Sequence, residues 1–510
     1  MAEPQPIETS ETDVYQGVRW SAVGAWGAQV VQLGISIVLA RLLMPKDYGL
    51  LAMAIVFIGF LEIFKRMGFH TAIIQRRQVD DVLLSSLYYF LIAVSVLLFL
   101  ATVAAAPVVA WIYGEPRVAW VTAALGLGFP LSAPCLMPFA LLNRRMKFGM
   151  LAVADLTSVA LGGCVSITLA VVGWGVWALV VGSLASTAIR TFLHHAMSRW
   201  RPRLVFRWQD VRSVFRFGAN VTGFTTFNYF ARNADNFIIG TFLGATSLGY
   251  YSLAYGILLK PRDAVTNVLM NVLFPALSRI QDDDARLKAA YLRACGAIAF
   301  VTFPMMFGLV AVAHPFVQVV LGEKWLPAVP LILILAPLGA LQSVWVPVGQ
   351  IFLVKDRTDW YFRIGIAQSC LTVGAFVVGV AWGTVGVAAA YALFNLFWIP
   401  VCFWLGSKLI SGLRARDFYL ELLPYGALSL TMCLAVLLFG KILNFMNVAA
   451  PVALPLSVLL GICIYLGAAV ASQPKAYADF MKLLPRGWSL PAFLPARRIP
   501  EMLQDDSRPD

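Results

Sequence analysis

The chain has 510 residues, of which 60% are hydrophobic and 13% are charged, and its net charge is +13. Soluble globular proteins carry about 25% charged residues, so a soluble domain of this composition could not cover its surface with polar groups. The composition therefore excludes an ordinary soluble enzyme or nucleic-acid-binding protein. It indicates an integral membrane protein whose excess apolar surface faces lipid.

Apolar runs long enough to cross a bilayer recur along the whole chain. Two of them, Leu83–Ile112 and Leu422–Gly440, contain no charged residue, and about 20 apolar residues suffice for one span. The residues before the first run are polar and acidic, without the basic start of a cleavable signal peptide, so we expect that run to remain as a helix. We predict about fourteen transmembrane helices, at residues 17–41, 48–68, 84–112, 118–142, 150–172, 175–198, 214–243, 247–278, 291–313, 328–353, 363–383, 385–407, 421–441 and 448–471.

The basic residues alternate with these spans in the way that the positive-inside rule requires. One side of the membrane receives 33 of the 39 Lys and Arg residues. The other side receives five, and the remaining one, Arg232, lies inside the seventh span. We therefore predict a multi-pass membrane protein with both termini in the cytoplasm. The five exceptions are Arg41, Lys46, Arg117, Lys324 and Lys441.

The two halves of the chain carry related junctions. Residues 40–54 join helices 1 and 2, residues 240–254 join helices 7 and 8, and identical residues recur 200 positions apart: Leu, Gly and Ala at 43/243, 49/249 and 54/254. We predict two six-helix bundles related by a parallel pseudo-twofold repeat, with the substrate path between them. The predicted domains are an N-terminal tail (1–16), an N-terminal bundle (17–198), a basic linker (199–213), a C-terminal bundle (214–407), helices 13 and 14 (408–471) and a cytoplasmic tail (472–510).

The seven cysteines and the transmembrane prolines have simple explanations. All cysteines lie in or beside apolar runs without a CxxC or Cys/His cluster, so we predict no disulfide framework, metal site or cofactor. Helices 4 and 10 carry three prolines each, which either bend the helix to line a cavity or are tolerated by neighbouring helices. These prolines are Pro130, Pro134, Pro138, Pro330, Pro337 and Pro347.

The two junctions resemble those of a known transporter family. Residues 36–49 (SIVLARLLMPKDYG) are similar to the helix 1–2 signature of the polysaccharide transporter family, which belongs to the multidrug/oligosaccharidyl-lipid/polysaccharide exporter superfamily. Residues 232–240 (RNADNFIIG) with 248–254 (LGYYSLA) resemble its helix 7–8 signature, and residues 274–282 (FPALSRIQD) resemble the segment that closes helix 8. The resemblance runs through most of residues 17–471.

This resemblance implies a flippase that is not an enzyme. Such proteins move an undecaprenyl-diphosphate-linked oligosaccharide across the bacterial inner membrane by alternating access, for exopolysaccharide, O-antigen or capsule synthesis, which implies that this chain lies in that membrane. The implied partners are this substrate, membrane lipids, a polysaccharide polymerase and chain-length regulators, with no nucleic acid. Helices 13 and 14 are extra to the repeats and are implied to form a groove for the lipid. The glycan, the coupling ion (H+ or Na+) and the oligomeric state stay open.

An anionic headgroup needs cations inside the membrane, where charged residues usually face a cavity or a partner. Arg232 and Asp235 share a face of helix 7, with Asn228 and Asn236 nearby. We interpret Arg232 as a headgroup contact, with Asp235 as its partner or as a proton site. The alternative is an ion pair that holds helix 7 in place.

A second group lies near the predicted cytoplasmic ends of helices 2 and 8. Glu62, Lys65 and Arg66 on helix 2, with Lys260 on helix 8, are either diphosphate contacts at an inward-facing mouth or residues that anchor the helix ends by snorkelling. Asp155 is interpreted as a capped or solvated acid and His194 as an interface residue.

Two other functions fit a polytopic protein. A polysaccharide polymerase or ligase needs a large catalytic loop on the outer face, whereas the predicted outward loops are short. A multidrug or other ion-coupled exporter of the same superfamily needs only twelve helices, so helices 13 and 14 favour the flippase.

Overall fold

The computed structural model describes the backbone of residues 11–66 and 80–472, and their side chains except for residues 11–26, 66, 210, 212–228 and most of 259–272. The described part of the chain is helical and contains no strand. We number the helices α1 (Glu11–Leu42), α2 (Pro45–Arg66), α3 (Asp81–Tyr113), α4 (Arg117–Arg144), α5 (Phe148–Val171), α6 (Val176–Ser198), α7 (208–243), α8 (245–278), α9 (Asp284–Ala311), α10 (Val329–Val354), α11 (Thr358–Gly379), α12 (Gly383–Ser407), α13 (Ala415–Phe445) and α14 (Ala450–Ser472).

The all-helical membrane fold that the hydropathy pattern predicts is confirmed. Among the described residues, eleven stretches are long and apolar enough to cross a membrane. Two of these stretches each cover two helices: Tyr229–Leu258 contains parts of α7 and α8, and Thr358–Ser407 contains all of α11 and α12. Helix α1 contributes a shorter apolar stretch, Gly27–Leu42. The exact number of fourteen spans stays a prediction.

Glycine provides the break between α7 and α8. Gly244 has φ 80° and ψ 177° inside an otherwise helical run, Trp208–Ser278. A residue with a Cβ atom is disfavoured at such a positive φ, so glycine allows the chain to end one helix and begin the next without an intervening loop.

The first of the two proline-rich helices is interrupted, and the second is continuous. α4 consists of helical pieces separated by a 3-10 turn at Ala133–Cys135, close to its prolines. In α10, Pro337 and Pro347 lie inside one uninterrupted helix. A proline removes one backbone hydrogen bond in either case, so packing against neighbouring helices decides between the two outcomes.

The two halves meet at one end of the bundle, which we call the junction end because the α1–α2, α3–α4, α7–α8 and α9–α10 connections lie there. A Cβ atom added to Gly49 on α2 would overlap the carbonyl group of Ala245 on α8. A Cβ atom on Gly249 would likewise overlap the carbonyl group of Pro45. Only glycine permits this approach of the two backbones, and the core that surrounds it is continuous between the halves.

Polar groups also join the halves at the junction end. The indole of Trp325, in the α9–α10 connection, donates to the carbonyl oxygen of Ala40 at 2.8 Å and is fully buried. Lys324 donates to the carbonyl of Arg41 at 2.8 Å, and the Arg41 guanidinium donates to the carbonyls of Val319 and Val320. Arg41 and Lys324, two of the five basic residues that the sequence pattern assigns to the side of the membrane with few basic residues, thus connect the halves.

The last two helices extend the second half. α13 packs along α9, where Gly296 lies against Glu421 and Tyr425. The hydroxyl of Tyr465 on α14 donates to the carbonyl oxygen of Phe300 at 2.8 Å. The two helices are therefore attached to the outer side of α9 rather than inserted between the halves.

Candidate functional site

Each half of the molecule contains a cavity between its helices. The C-half cavity has a volume of about 800 Å³ and is lined by α7, α8, α10, α11 and α12. The N-half cavity has a volume of about 750 Å³ and is lined by α2, α3, α4, α5 and α6. Those charged site candidates whose side chains the structure describes, Arg232, Asp235, Glu62 and Lys65, divide between these two cavities.

The C-half cavity contains the predicted pair on α7. Arg232 is exposed to this cavity, whereas Asp235 is 3% exposed. The Asp235 carboxylate accepts hydrogen bonds from the Tyr251 hydroxyl at 3.0 Å and from the backbone N–H of Asn236 at 2.7 Å. Within the described side chains, no ion pair joins Arg232 to Asp235, so Tyr251 is the side chain that holds Asp235 in place.

Amides and aromatic rings form most of the remaining polar surface of the C-half cavity. The Gln342 amide donates to the Tyr391 hydroxyl at 2.9 Å and to the Asn395 side-chain oxygen at 3.2 Å. Aromatic rings with a few convergent polar groups are typical of sites that bind neutral polar ligands. The amide side chains are Asn233, Asn236, Gln342, Gln368 and Asn395, and the aromatic ones are Tyr229, Tyr255, Trp345, Phe352, Tyr361, Phe376 and Tyr391.

The N-half cavity contains Glu62 and Lys65 of α2. Lys65 is 8% exposed, and its ammonium group donates to the Ser132 hydroxyl at 2.8 Å. The same group lies 5.8 Å from the ring centroid of Phe129. Lys65 therefore points into the protein, in contrast to the snorkelling alternative. The segment that receives it is the interrupted part of α4.

An ion pair lies in the wall of the same cavity. Arg190 on α6 donates through Nε to the carboxylate of Asp155 on α5 at 3.0 Å, and both side chains are 42% exposed. Asp155 is therefore ion-paired at the cavity. His194, one turn further along α6, is 1% exposed with its Nδ1 atom 2.9 Å from the sulfur of Cys135. It is buried in the cavity wall.

Tyr229 lies at the contact between the two cavities. Its ring lines the C-half cavity, and its hydroxyl donates to the carbonyl oxygen of Val56 on α2 at 2.8 Å. That hydroxyl also lies against Gly59, between Ile58 and Glu62 of the N-half cavity in sequence. The contact between α2 and α7 thus separates the C-half cavity from the N-half cavity.

The structure brings together some of the predicted site residues and adds others. Arg232, Asp235 and Asn236 line one cavity, and Glu62 and Lys65 line the other. Asn228, Lys260 and Arg66 lie outside the described side chains. Arg190 was not predicted as a site residue. It lies eight residues before the end of α6, so in the sequence it is one of many basic residues that lead into the basic loop. In the described part of the chain, no group of three or more potential metal ligands occurs.

The chain matches a known family over more than half of its length. Residues 38–330 match the family described as polysaccharide biosynthesis protein. The lipopolysaccharide biosynthesis protein WzxC of Escherichia coli K12 is 28% identical over 421 residues, covering 80% of this chain and 84% of that protein. The teichuronic acid biosynthesis protein TuaB of Bacillus subtilis 168 is 27% identical over 476 residues, covering 92% and 98%.

A solved structure shares the fold. The lipid II flippase MurJ, in its inward closed conformation, aligns with a TM-score of 0.70 at 15% sequence identity. The alignment covers 90% of this chain and 99% of that one, and so includes helices beyond the two six-helix halves.

Proposed function

Because this chain belongs to the polysaccharide biosynthesis protein family, we propose that it is a flippase for a lipid-linked oligosaccharide. Its substrate is an oligosaccharide on undecaprenyl diphosphate, which it moves across the bacterial inner membrane by alternating access. The product serves the synthesis of an exopolysaccharide, O-antigen or capsule. On this proposal the chain is a transporter and carries no catalytic residues.

One observation carries this proposal, namely the exposure of Arg232 within a cavity inside a membrane span. Arg232 lies in the apolar stretch Tyr229–Leu258 and faces a cavity of about 800 Å³ that also presents amides and aromatic rings. A charged residue in a span is costly and usually marks a substrate path. A guanidinium with neighbouring amides suits a large ligand that is both anionic and rich in hydroxyl groups.

The relatives favour a glycan over a drug as the cargo. The two relatives that cover most of the chain are named for lipopolysaccharide and teichuronic acid biosynthesis. The shared fold with a lipid II flippase is compatible with a cargo whose polar head crosses the membrane while its lipid tail stays in the bilayer. A multidrug exporter is therefore the weaker alternative.

The proposal also sets the orientation of the protein. Both termini are placed in the cytoplasm because 33 of the 39 Lys and Arg residues then lie on that side. The junction end becomes the periplasmic end, where the halves are in contact. A polymerase and a chain-length regulator are proposed as neighbours in the membrane. The coupling ion is H+ or Na+, and for H+ the proton site is Asp235.

Replacement of Arg232 tests the proposal. Arg232→Ala should reduce polysaccharide export about tenfold or more, because a charge-assisted hydrogen bond contributes about 1.5–3 kcal/mol. Arg232→Lys should restore export only in part, since an ammonium cannot form the forked bonds of a guanidinium. Export is measured as surface polysaccharide in a strain that lacks its own copy of the gene, with the membrane abundance of folded protein measured in parallel.

The control is Arg286→Ala, which removes an equal charge from an exposed helix start. That variant should export normally. If Arg232 has a structural role instead, Arg232→Ala should lower the abundance of folded protein, and replacing Asp235 by Leu in the same chain should restore it. Normal export by a well-folded Arg232→Ala protein would contradict the proposal for this residue.

A further inference from the structure

We propose that the connection between α6 and α7 binds the headgroups of anionic phospholipids, at the membrane surface opposite to the junction end. The α6–α7 connection comprises residues 199–207, which include four arginines and no acidic residue. It lies outside the linings of both cavities. The proposal therefore concerns a lipid of the surrounding bilayer and does not depend on the cargo of the transporter.

The α6–α7 connection follows a fixed course along the start of α3. The backbone N–H of Arg203 donates to the Ser85 hydroxyl at 2.9 Å. The backbone N–H of Arg207 donates to the Ser86 hydroxyl, also at 2.9 Å. Both serines are buried, and the Arg203 guanidinium forms an ion pair with Asp81 at 3.0 Å. These contacts hold the connection against α3 although it is not helical.

The part of α3 that holds the connection lies at the level of the lipid headgroups. α3 has 33 residues, so it is about 50 Å long at a rise of about 1.5 Å per residue. The hydrocarbon core is about 30 Å thick, so a helix of this length that is centred in the bilayer extends about 10 Å beyond the core at each end. Ser85 and Ser86 lie on the first two turns of α3. The connection that is bonded to them therefore lies beside the headgroups.

Large apolar side chains project from this segment. Leu204 is 92% exposed, and Phe206 and the adjoining Trp208 of α7 are also exposed. The ring centroids of Phe206 and Trp208 are 6.5 Å apart, and the Trp208 ring lies edge-on to Phe90 of α3 at 6.0 Å. Apolar and aromatic side chains at headgroup level are buried in the membrane interface, where tryptophan is enriched. The exposed side chains thus have an apolar environment available in the bilayer.

The remaining arginines supply the charge for an anionic partner. Arg199, Arg201 and Arg207 have exposed side chains, and within the described part of the chain none of them forms an ion pair. The positive-inside rule accounts for arginines in this connection but not for the apolar side chains between them. Arginines interspersed with apolar residues are typical of segments that bind anionic membrane surfaces. A second copy of the chain would present the same positive charges and be repelled, so a lipid is the better occupant.

Removal of two arginines tests the proposal. The full-length protein in an uncharged detergent is titrated with phosphatidylglycerol, and phosphatidylcholine serves as the lipid without net charge. Bound lipids are counted by native mass spectrometry. Arg201→Gln/Arg207→Gln should weaken binding of phosphatidylglycerol about tenfold or more, because one arginine near an anionic surface contributes about fivefold. Binding of phosphatidylcholine should stay the same.

The matched control is Arg279→Gln/Arg286→Gln, which removes the same charge from exposed positions on either side of the α8–α9 connection. Three consecutive aspartates, at residues 282–284, lie between these arginines. Because the aspartates repel an anionic lipid, this variant should change binding of phosphatidylglycerol by less than about threefold. An equal loss of affinity in both double variants would show that total charge matters and not the α6–α7 connection, and would overturn the proposal.

A second variant removes the apolar contacts and keeps every arginine. Leu204→Ser/Phe206→Ser should weaken binding of phosphatidylglycerol about threefold or more, because it removes apolar surface that contacts the lipid. If thermal unfolding shows that the arginine variant does not fold, this variant decides, and unchanged binding would overturn the proposal. Equal binding of the two lipids by the unsubstituted protein, as expected if an acidic segment of the chain covered the connection, would overturn it as well.

Discussion

The contact between Gly49 and Ala245 predicts the effect of adding one methyl group at the junction end. In Gly49→Ala, the new Cβ atom would lie 2.5 Å from the carbonyl carbon of Ala245, whereas ordinary van der Waals contact begins at 3.4 Å. The carbonyl oxygen of Ala245 would lie closer still, so the two helices must separate locally by more than about 0.9 Å, the difference between these distances. The atoms in conflict belong to the backbone, so no rotamer change can relieve the overlap.

The separation should weaken the closed junction end. Overpacking of this kind costs about 1–3 kcal/mol, which shifts an equilibrium between closed and open states by a factor of about 5 to 150. Hydrogen–deuterium exchange of the protein in nanodiscs should accordingly accelerate in peptides that cover residues 40–52 and 240–252. Gly249→Ala should have the same effect, because its Cβ atom would lie 2.7 Å from the carbonyl carbon of Pro45.

Gly256→Ala is the matched control, since it lies two turns further along α8 and its Cβ atom would meet nothing within 4 Å. It should leave exchange in both segments unchanged. Unchanged exchange in Gly49→Ala, together with normal export, would refute the view that this contact closes the junction end.

Two further substitutions test buried hydrogen bonds. Trp325→Phe removes the donor to the Ala40 carbonyl and should destabilise the protein by about 1–3 kcal/mol, which is measured as a lower Tm. The control Trp382→Phe, at a site that is 71% exposed, should leave Tm unchanged. Equal Tm values for the two variants would show that the indole N–H of Trp325 does not join the halves. Tyr251→Phe removes the hydroxyl that donates to buried Asp235 and keeps the ring, so it should also lower Tm. Asp235→Leu in the same chain should recover part of the loss, because removing both partners leaves no unpaired polar group. An unchanged Tm in Tyr251→Phe would mean that the ring, and not its hydroxyl, stabilises this contact.

The positions of the helices followed from the sequence because each apolar run must cross the same thickness of hydrocarbon. The predicted span 84–112 corresponds to α3 (Asp81–Tyr113), and 150–172 to α5 (Phe148–Val171). Hydropathy does not reveal which neighbours a helix has. It therefore could not show that α4 is interrupted at Ala133–Cys135 while α10 is continuous.

Only part of the candidate site could be predicted, because the sequence pattern of one helix does not show its contacts with other helices. Arg232 was recognisable because a single charge in the middle of an apolar run needs a polar partner or a cavity. Arg190 and Asp155 belong to different helices near a basic loop, so only the packing of α5 against α6 shows that they form a pair. The burial of Lys65 likewise depends on Ser132 of another helix, which a pattern within α2 cannot contain.

The glycine contacts at the junction end have the geometry of a symmetric dimer interface. Gly49 meets residue 245, and Gly249 meets residue 45. Because the matching residues of the two halves are 200 positions apart, the second contact is the first one with the two halves exchanged. In a twofold homodimer, each contact occurs twice with the roles of the subunits exchanged. Within this one chain, Gly49 and Gly249 thus occupy equivalent positions of a twofold contact. A substitution at one of them changes only one of the two contacts and leaves the other glycine in place.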